Sequence, residues 1–163
     1  MFDWITLFFN LCLLKKAPQD LPYSLNLLKI LVATNIFVNF LLANMSANWF
    51  NALLKAVVGG LLIIGFSWIS LFFSRKPARF CQTTCALLGA DALIGIFSFP
   101  AVATMSLNQS ELLAFLVMMS LIIWYWIVTG HIMRNALSQN FGFGLGLAFL
   151  YLLISFQVTA LIS

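Results

Sequence analysis

Five stretches of twenty or more residues in this 163-residue chain carry almost no charge, and only short polar breaks separate them. They cover about residues 25–44, 50–73, 78–105, 111–133 and 141–162. The charged side chains inside them are Lys29, Lys55, Arg79, Asp91 and Glu111. A helix needs roughly 20 apolar residues to cross the hydrocarbon core of a bilayer. Water is not the solvent for such a surface: 7% of the residues are charged, against about 25% in a soluble domain. The mean hydropathy of +1.07 agrees. The predicted fold is therefore all-α: a polytopic transmembrane helical bundle of five spans, forming a single membrane domain over residues 1–163.

Residues 2–14 are apolar but too short to cross. Thirteen helical residues reach about 20 Å, against a core of about 30 Å. Asp3, Thr6 and Asn10 recur at helical spacing, which gives one wet face. Residues 1–16 are thus expected as a short interfacial amphipathic helix with Lys15 and Lys16 at headgroup level, or else as a half-helix packed on the bundle. Its charge order is the reverse of a signal peptide, and no small-residue cleavage pattern follows. Pro18 and Pro22 break the chain, and Ser24 is placed to cap the first span. Met45–Trp49 reads as a short loop. Pro100 is expected to kink or end the third span.

The basic residues set the orientation. With five spans, Lys15, Lys16, Lys29, Arg75, Lys76, Arg79 and Arg134 collect on one side and Lys55 on the other. The positive-inside rule then puts the N-terminus in the cytoplasm and the C-terminus outside. The net charge of +4 is scattered between apolar runs, so it predicts no nucleic-acid partner. The expected partners are the lipid bilayer and other membrane proteins or further copies of the chain.

Few residues carry chemistry. Asp91 is the one acid deep inside an apolar run, about 18 Å beyond Arg79 by helical rise and so near the midplane. Asn35 lies at similar depth on the first span, and Asn39 shares its helix face. The three could hydrogen-bond if their spans are neighbours. An intramembrane acid is a functional candidate; the alternative is a protonated Asp tying helices together. His131 and Arg134 are candidates at the cytoplasmic face, with a simple polar helix end as the alternative. Lys55 and Glu111 could form a rim ion pair of little energetic weight. Gly60, Ala86 with Ala90, and Gly142 with Gly146 are small-residue positions suited to helix contact.

Cys12, Cys81 and Cys85 are an odd number, with no further metal ligands nearby, so neither a disulfide framework nor a metal site is expected. No catalytic set and no cofactor motif is visible. Two glycosylation-type triplets, Asn44-Met-Ser46 and Asn108-Gln-Ser110, fall in loops too short to use them.

At Leu11-Cys-Leu-Leu-Lys-Lys-Ala-Pro-Gln-Asp-Leu-Pro22, Lys76-Pro-Ala-Arg-Phe80 and Gly130-His-Ile-Met-Arg-Asn-Ala-Leu137, the chain resembles uncharacterised inner-membrane proteins of proteobacteria. Its layout is similar to that of the Ypt-interacting-protein (Yip) family. That resemblance implies five packed spans, a cytoplasmic N-terminus and a bacterial inner-membrane location. The Asp-Leu-aromatic-Gly-Pro motif of eukaryotic members is absent; Asp20-Leu-Pro-Tyr23 is the nearest match, so no functional residue carries over.

Small-residue faces, minimal loops and scant chemistry together suggest a non-enzymatic accessory, scaffold or assembly subunit acting by helix association. The alternative is a small transporter or channel subunit with Asp91, Asn35 and Asn39 along a polar path. An enzyme using His131 and Asp91 comes last, since their depths differ by about half the bilayer.

Overall fold

A computed structural model of the chain describes residues 2–106 and 111–162, with side chains for 6–105 and 112–162. The Asn108 triplet and any contact of Glu111 with Lys55 lie outside the described residues. Among those residues the regular structure is helical: α1 (Phe2–Cys12), α2 (Leu25–Asn44), α3 (Trp49–Phe73), α4 (Phe80–Ser106), α5 (Glu111–Leu137) and α6 (Phe141–Leu161), with 3-10 turns at Pro18–Asp20 and Pro77–Arg79. α2 to α6 are each long and apolar enough to cross a membrane.

Helix α4 is the centre. Half of its apolar window is buried, against 17–28% for the other four long helices. Its side chains explain this: Ala86, Gly89, Ala90, Ala92 and Gly95 let neighbours approach on several sides. Ala86 and Ala90 are buried. The α2–α3 pair packs against it, as does α5; α6 packs mainly on α5. Pro100 lies inside α4, which continues to Ser106 without ending there. Trp49, expected in the loop, is the first residue of α3.

Ser24 caps α2: the Leu27 amide donates to its Oγ at 3.3 Å. α1 takes the packed arrangement rather than lying free. Phe8, Leu11 and Cys12 are buried, and a Cβ at Gly89 of α4 would collide with the Phe8 ring. The Trp124 indole of α5 donates to the Cys12 carbonyl at 3.0 Å, satisfying an otherwise open helix end.

Helices α1, α3 and α5 end alike, and all at the basic end of the bundle. Leu14, Arg75 and Ser138 have φ of 63°, 55° and 53°, and the next residue donates back five positions: Lys15 to Asn10, Lys76 to Leu71, Gln139 to Arg134. These are Schellman-type closures in which a non-glycine residue takes the left-handed conformation.

The fourth span runs four residues past its expected end, to Leu137. Its terminal carbonyls find donors from elsewhere in the chain. Lys76 Nζ donates to the Leu137 carbonyl at 2.8 Å. Arg79 Nη1 donates to the carbonyls of Asn135 and Ala136 and to Ser138 Oγ, at 3.3, 3.2 and 3.0 Å. Gln19 Nε2 donates to the Asn135 carbonyl at 3.1 Å. The basic knuckle is thus a cap for α5 as well as a topology signal.

Candidate functional site

The three polar residues expected to meet do so. Asn35 Nδ2 donates to Asp91 Oδ2 at 2.8 Å, and Asn39 Nδ2 donates to the same oxygen at 2.9 Å. Helical spacing on α2 puts both amides on one face, and α4 presents the carboxyl to that face. Asn35 Nδ2 also lies 3.3 Å from the Leu88 carbonyl, and Asn39 Nδ2 is 3.0 Å from the Asn35 carbonyl. Both amides converge on Oδ2; neither addresses Oδ1. The groups holding the acid are neutral amides rather than cations, so its charged form gains hydrogen bonds but no counterion from them.

Asn35 is fully buried and its Oδ1 has no hydrogen-bond partner. It lies near Gly60 of α3, where a Cβ would stand 3.8 Å from Oδ1 and 3.5 Å from Ile36. Gly60 therefore marks the close approach of α2 and α3, and sits at the depth of Asp91.

Asp91 itself is half-buried because it lines a cleft of about 370 Å³. All five long helices contribute to the wall, among them Asn39 (α2), Lys55 and Gly59 (α3), Ser98 (α4), Met118 (α5) and Ser155 (α6). The cleft runs from Asp91 toward the α2–α3 turn, at the end opposite the basic knuckle. On the basic side it is shut. Tyr151 lines the cleft together with Asp91, and Tyr125 lines an adjoining space together with Asp91. The next space, between Ile63, Phe66, Leu87, Thr129 and these tyrosines, is too small for a water. Below it the buried core closes the bundle, with Leu88, Val128, Ile132 and Met133 in it.

The candidates at the basic end, His131 and Arg134, form a separate group. His131 Nε2 is 3.2 Å from the Lys16 carbonyl and 3.0 Å from Asn135 Nδ2. A single nitrogen cannot both donate to the carbonyl and accept from the amide, so the imidazole tautomer selects between them. Arg134 is exposed, with its guanidinium 5.9 Å from the Phe141 ring centroid, a cation–π contact. The structure does not bring His131 together with Asp91.

Within the chain, the α5–α6 contact does not use the Gly142 and Gly146 pair. A Cβ at Gly142 or Gly146 would meet nothing within 4 Å. The contact of α6 with α5 is made by Gly144, where a Cβ would collide with the Gly130 carbonyl oxygen, and by Gly130, where it would stand 2.8 Å from Leu145 Cδ2. Two residues along a helix is a turn of about 200°, so Gly144 faces the bundle while Gly142 and Gly146 face away from it.

Several participants left no sequence signal of their own. Tyr125, Tyr151, Ser98 and Ser155 read as ordinary span residues, and Lys55 as a snorkelling rim charge. Their clustering depends on helix rotation, which apolar helices without an amphipathic pattern do not encode visibly.

Among the described residues, no group of three or more His, Cys, Asp or Glu side chains could hold a metal ion. No protein-family model matches the chain, and neither does any curated protein or solved structure.

Proposed function

We propose that this chain is a small transporter or channel subunit that binds a polar solute at Asp91. The carrying observation is the acid at the foot of an open cleft, gripped through one oxygen by Asn35 and Asn39. An ionised carboxylate at mid-membrane costs at least about 2.5 kcal/mol. A purely structural acid would be sealed among the helices. This one lines a space wide enough for a small molecule, closed toward the basic end and leading toward the other. In this reading the protein is not an enzyme. It lies in a bacterial inner membrane with the basic end in the cytoplasm, and the cleft faces outward.

Asp91→Asn tests it. The side chain keeps its shape, and its carbonyl oxygen still accepts from both amides. The variant should fold normally, while uptake of labelled amines, amino acids and inorganic cations into proteoliposomes falls to background. Normal uptake by the variant, or no uptake by the parent chain, overturns the proposal.

A second reading, an accessory or scaffold subunit acting by helix association, is favoured by a different observation. Gly142 and Gly146 are exposed on α6, and a Cβ at either would meet nothing within 4 Å, which leaves a small-residue face open to another helix. Gentle extraction followed by native mass spectrometry tests this. A complex or homo-oligomer lost in Gly146→Leu supports it, and a monomer throughout refutes it.

A further inference from the structure

Lys55 lines two spaces at once. One is the cleft that ends at Asp91; the other is a polar vestibule at the α2–α3 turn, walled by Asn44, Ser46, Asn48 and Asn51. Helix α3 enters from the far end, and Gly60 marks the depth of Asp91. Five residues earlier, Lys55 stands about 8 Å nearer that end. Of the described residues lining the cleft, Lys55 and Asp91 are the charged ones. They have opposite signs and stand at opposite ends. The wall carries the apolar Ala43, Ala56, Gly59 and Ile63, with Ser98, Ser155 and Thr159 also lining the cleft.

We propose that the cleft is built for a small zwitterion, with its ammonium on Asp91 beside Asn39 and its carboxylate on Lys55. This rests on the solute-binding reading above and names the class of solute. A single ion entering such a site would leave one protein charge unanswered, which is costly in a low-dielectric setting. A zwitterion answers both and crosses with no net charge. The volume falls within the range of small-ligand sites. An ω-amino acid spans the two charges better than an α-amino acid, because Lys55 and Asp91 stand apart along the cleft, and its aliphatic chain can lie against Ala43, Ala56 and Ile63.

The test is thermal stabilisation of the full-length protein in mild detergent by 4-aminobutyrate, butylamine, butyrate and glycine. The expected order puts 4-aminobutyrate at least tenfold tighter than the other three. Lys55→Gln should lower 4-aminobutyrate to the level of butylamine and leave butylamine unchanged. Lys55→Arg, which keeps the charge, should retain most of the preference, and Asp91→Asn should abolish amine binding. Equal affinity for butylamine and 4-aminobutyrate, indifferent to Lys55→Gln, overturns the zwitterion proposal while leaving an Asp91 cation site. Tighter butylamine binding in Lys55→Gln also overturns it, because Lys55 is then the resident counterion of Asp91. Absence of any Asp91-dependent binding removes the solute-binding reading itself.

Discussion

Replacing Gly144 by alanine is the sharpest test of how α6 sits on α5. The added methyl would collide with the Gly130 carbonyl oxygen and stand 3.0 Å from the Arg134 amide nitrogen and 3.1 Å from its Cβ. Two of the three obstacles are backbone atoms, which no rotamer change can clear, so α6 must shift away from α5. Overpacking of this kind costs about 1–3 kcal/mol. Alanine also gains up to about 1 kcal/mol of helix propensity over glycine, but the same gain applies at Gly142 and Gly146, where nothing lies within 4 Å. The difference between Gly144→Ala and either neighbour isolates the steric term, so Gly144→Ala should be less stable by about 1–3 kcal/mol. The assay is reversible unfolding in mixed detergent, followed by tryptophan fluorescence. Trp126 is a local reporter, since its indole donates to the Leu145 carbonyl at 2.9 Å across the same interface. Three alanine variants within about 0.5 kcal/mol of one another would refute the packing, because surface substitutions alone scatter by that much.

Four other outcomes are expected. Lys76→Ala and Arg79→Ala should each cost about 1 kcal/mol and speed amide exchange in the last turn of α5, because their side chains supply donors to its terminal carbonyls; unchanged exchange there contradicts the capping role. Arg75→Gly should raise stability by about 1 kcal/mol, since φ of 55° is unstrained for glycine, and a lower unfolding midpoint would count against it. Burial pushes the Cys12 thiol up to about 11, so it should resist alkylation at neutral pH. A native value raised above the unfolded one means that Cys12 contributes its stability in full below about pH 9, and that this is lost as pH rises through about 11. Gly89→Ala, which crowds the Phe8 ring, should loosen α1 and make Cys12 reactive at lower pH; equal reactivity with and without the substitution contradicts the docked position of α1.

The sequence made some of this legible and hid the rest for physical reasons. Span number and approximate limits follow from apolar run length, because lipid leaves the backbone few alternatives to helix. The Asp91–Asn35–Asn39 meeting was also foreseeable, since polar side chains at equal depth in lipid seek one another. Rotation about each helix axis was not. Gly142 and Gly146 match a helix-contact spacing, yet Gly144 makes the contact, and a run such as Phe141-Gly-Phe-Gly-Leu-Gly146 offers no polar face to decide between them. The end of α5 was hidden differently. Its last turn is held by Lys76, Arg79 and Gln19, which lie 56 to 116 positions away along the chain. The Lys55 and Asp91 pairing in one cleft likewise depends on which helices are neighbours, information carried by tertiary packing alone.

The central claim is that water reaches Asp91 through a cleft rather than finding it sealed among helices. Gly59→Cys tests this most directly: Gly59 lines the cleft, and a Cβ there meets nothing within 4 Å, while the native Cys12, Cys81 and Cys85 are buried. Leu61→Cys is the control, two residues away at nearly the same depth and exposed on the outside of the bundle. A charged, membrane-impermeant methanethiosulfonate added from the side facing the α2–α3 turn should modify Gly59→Cys and spare Leu61→Cys. An unreactive Gly59→Cys, with Ser46→Cys at the vestibule labelled normally, would show that the path to Asp91 is closed and contradict the account.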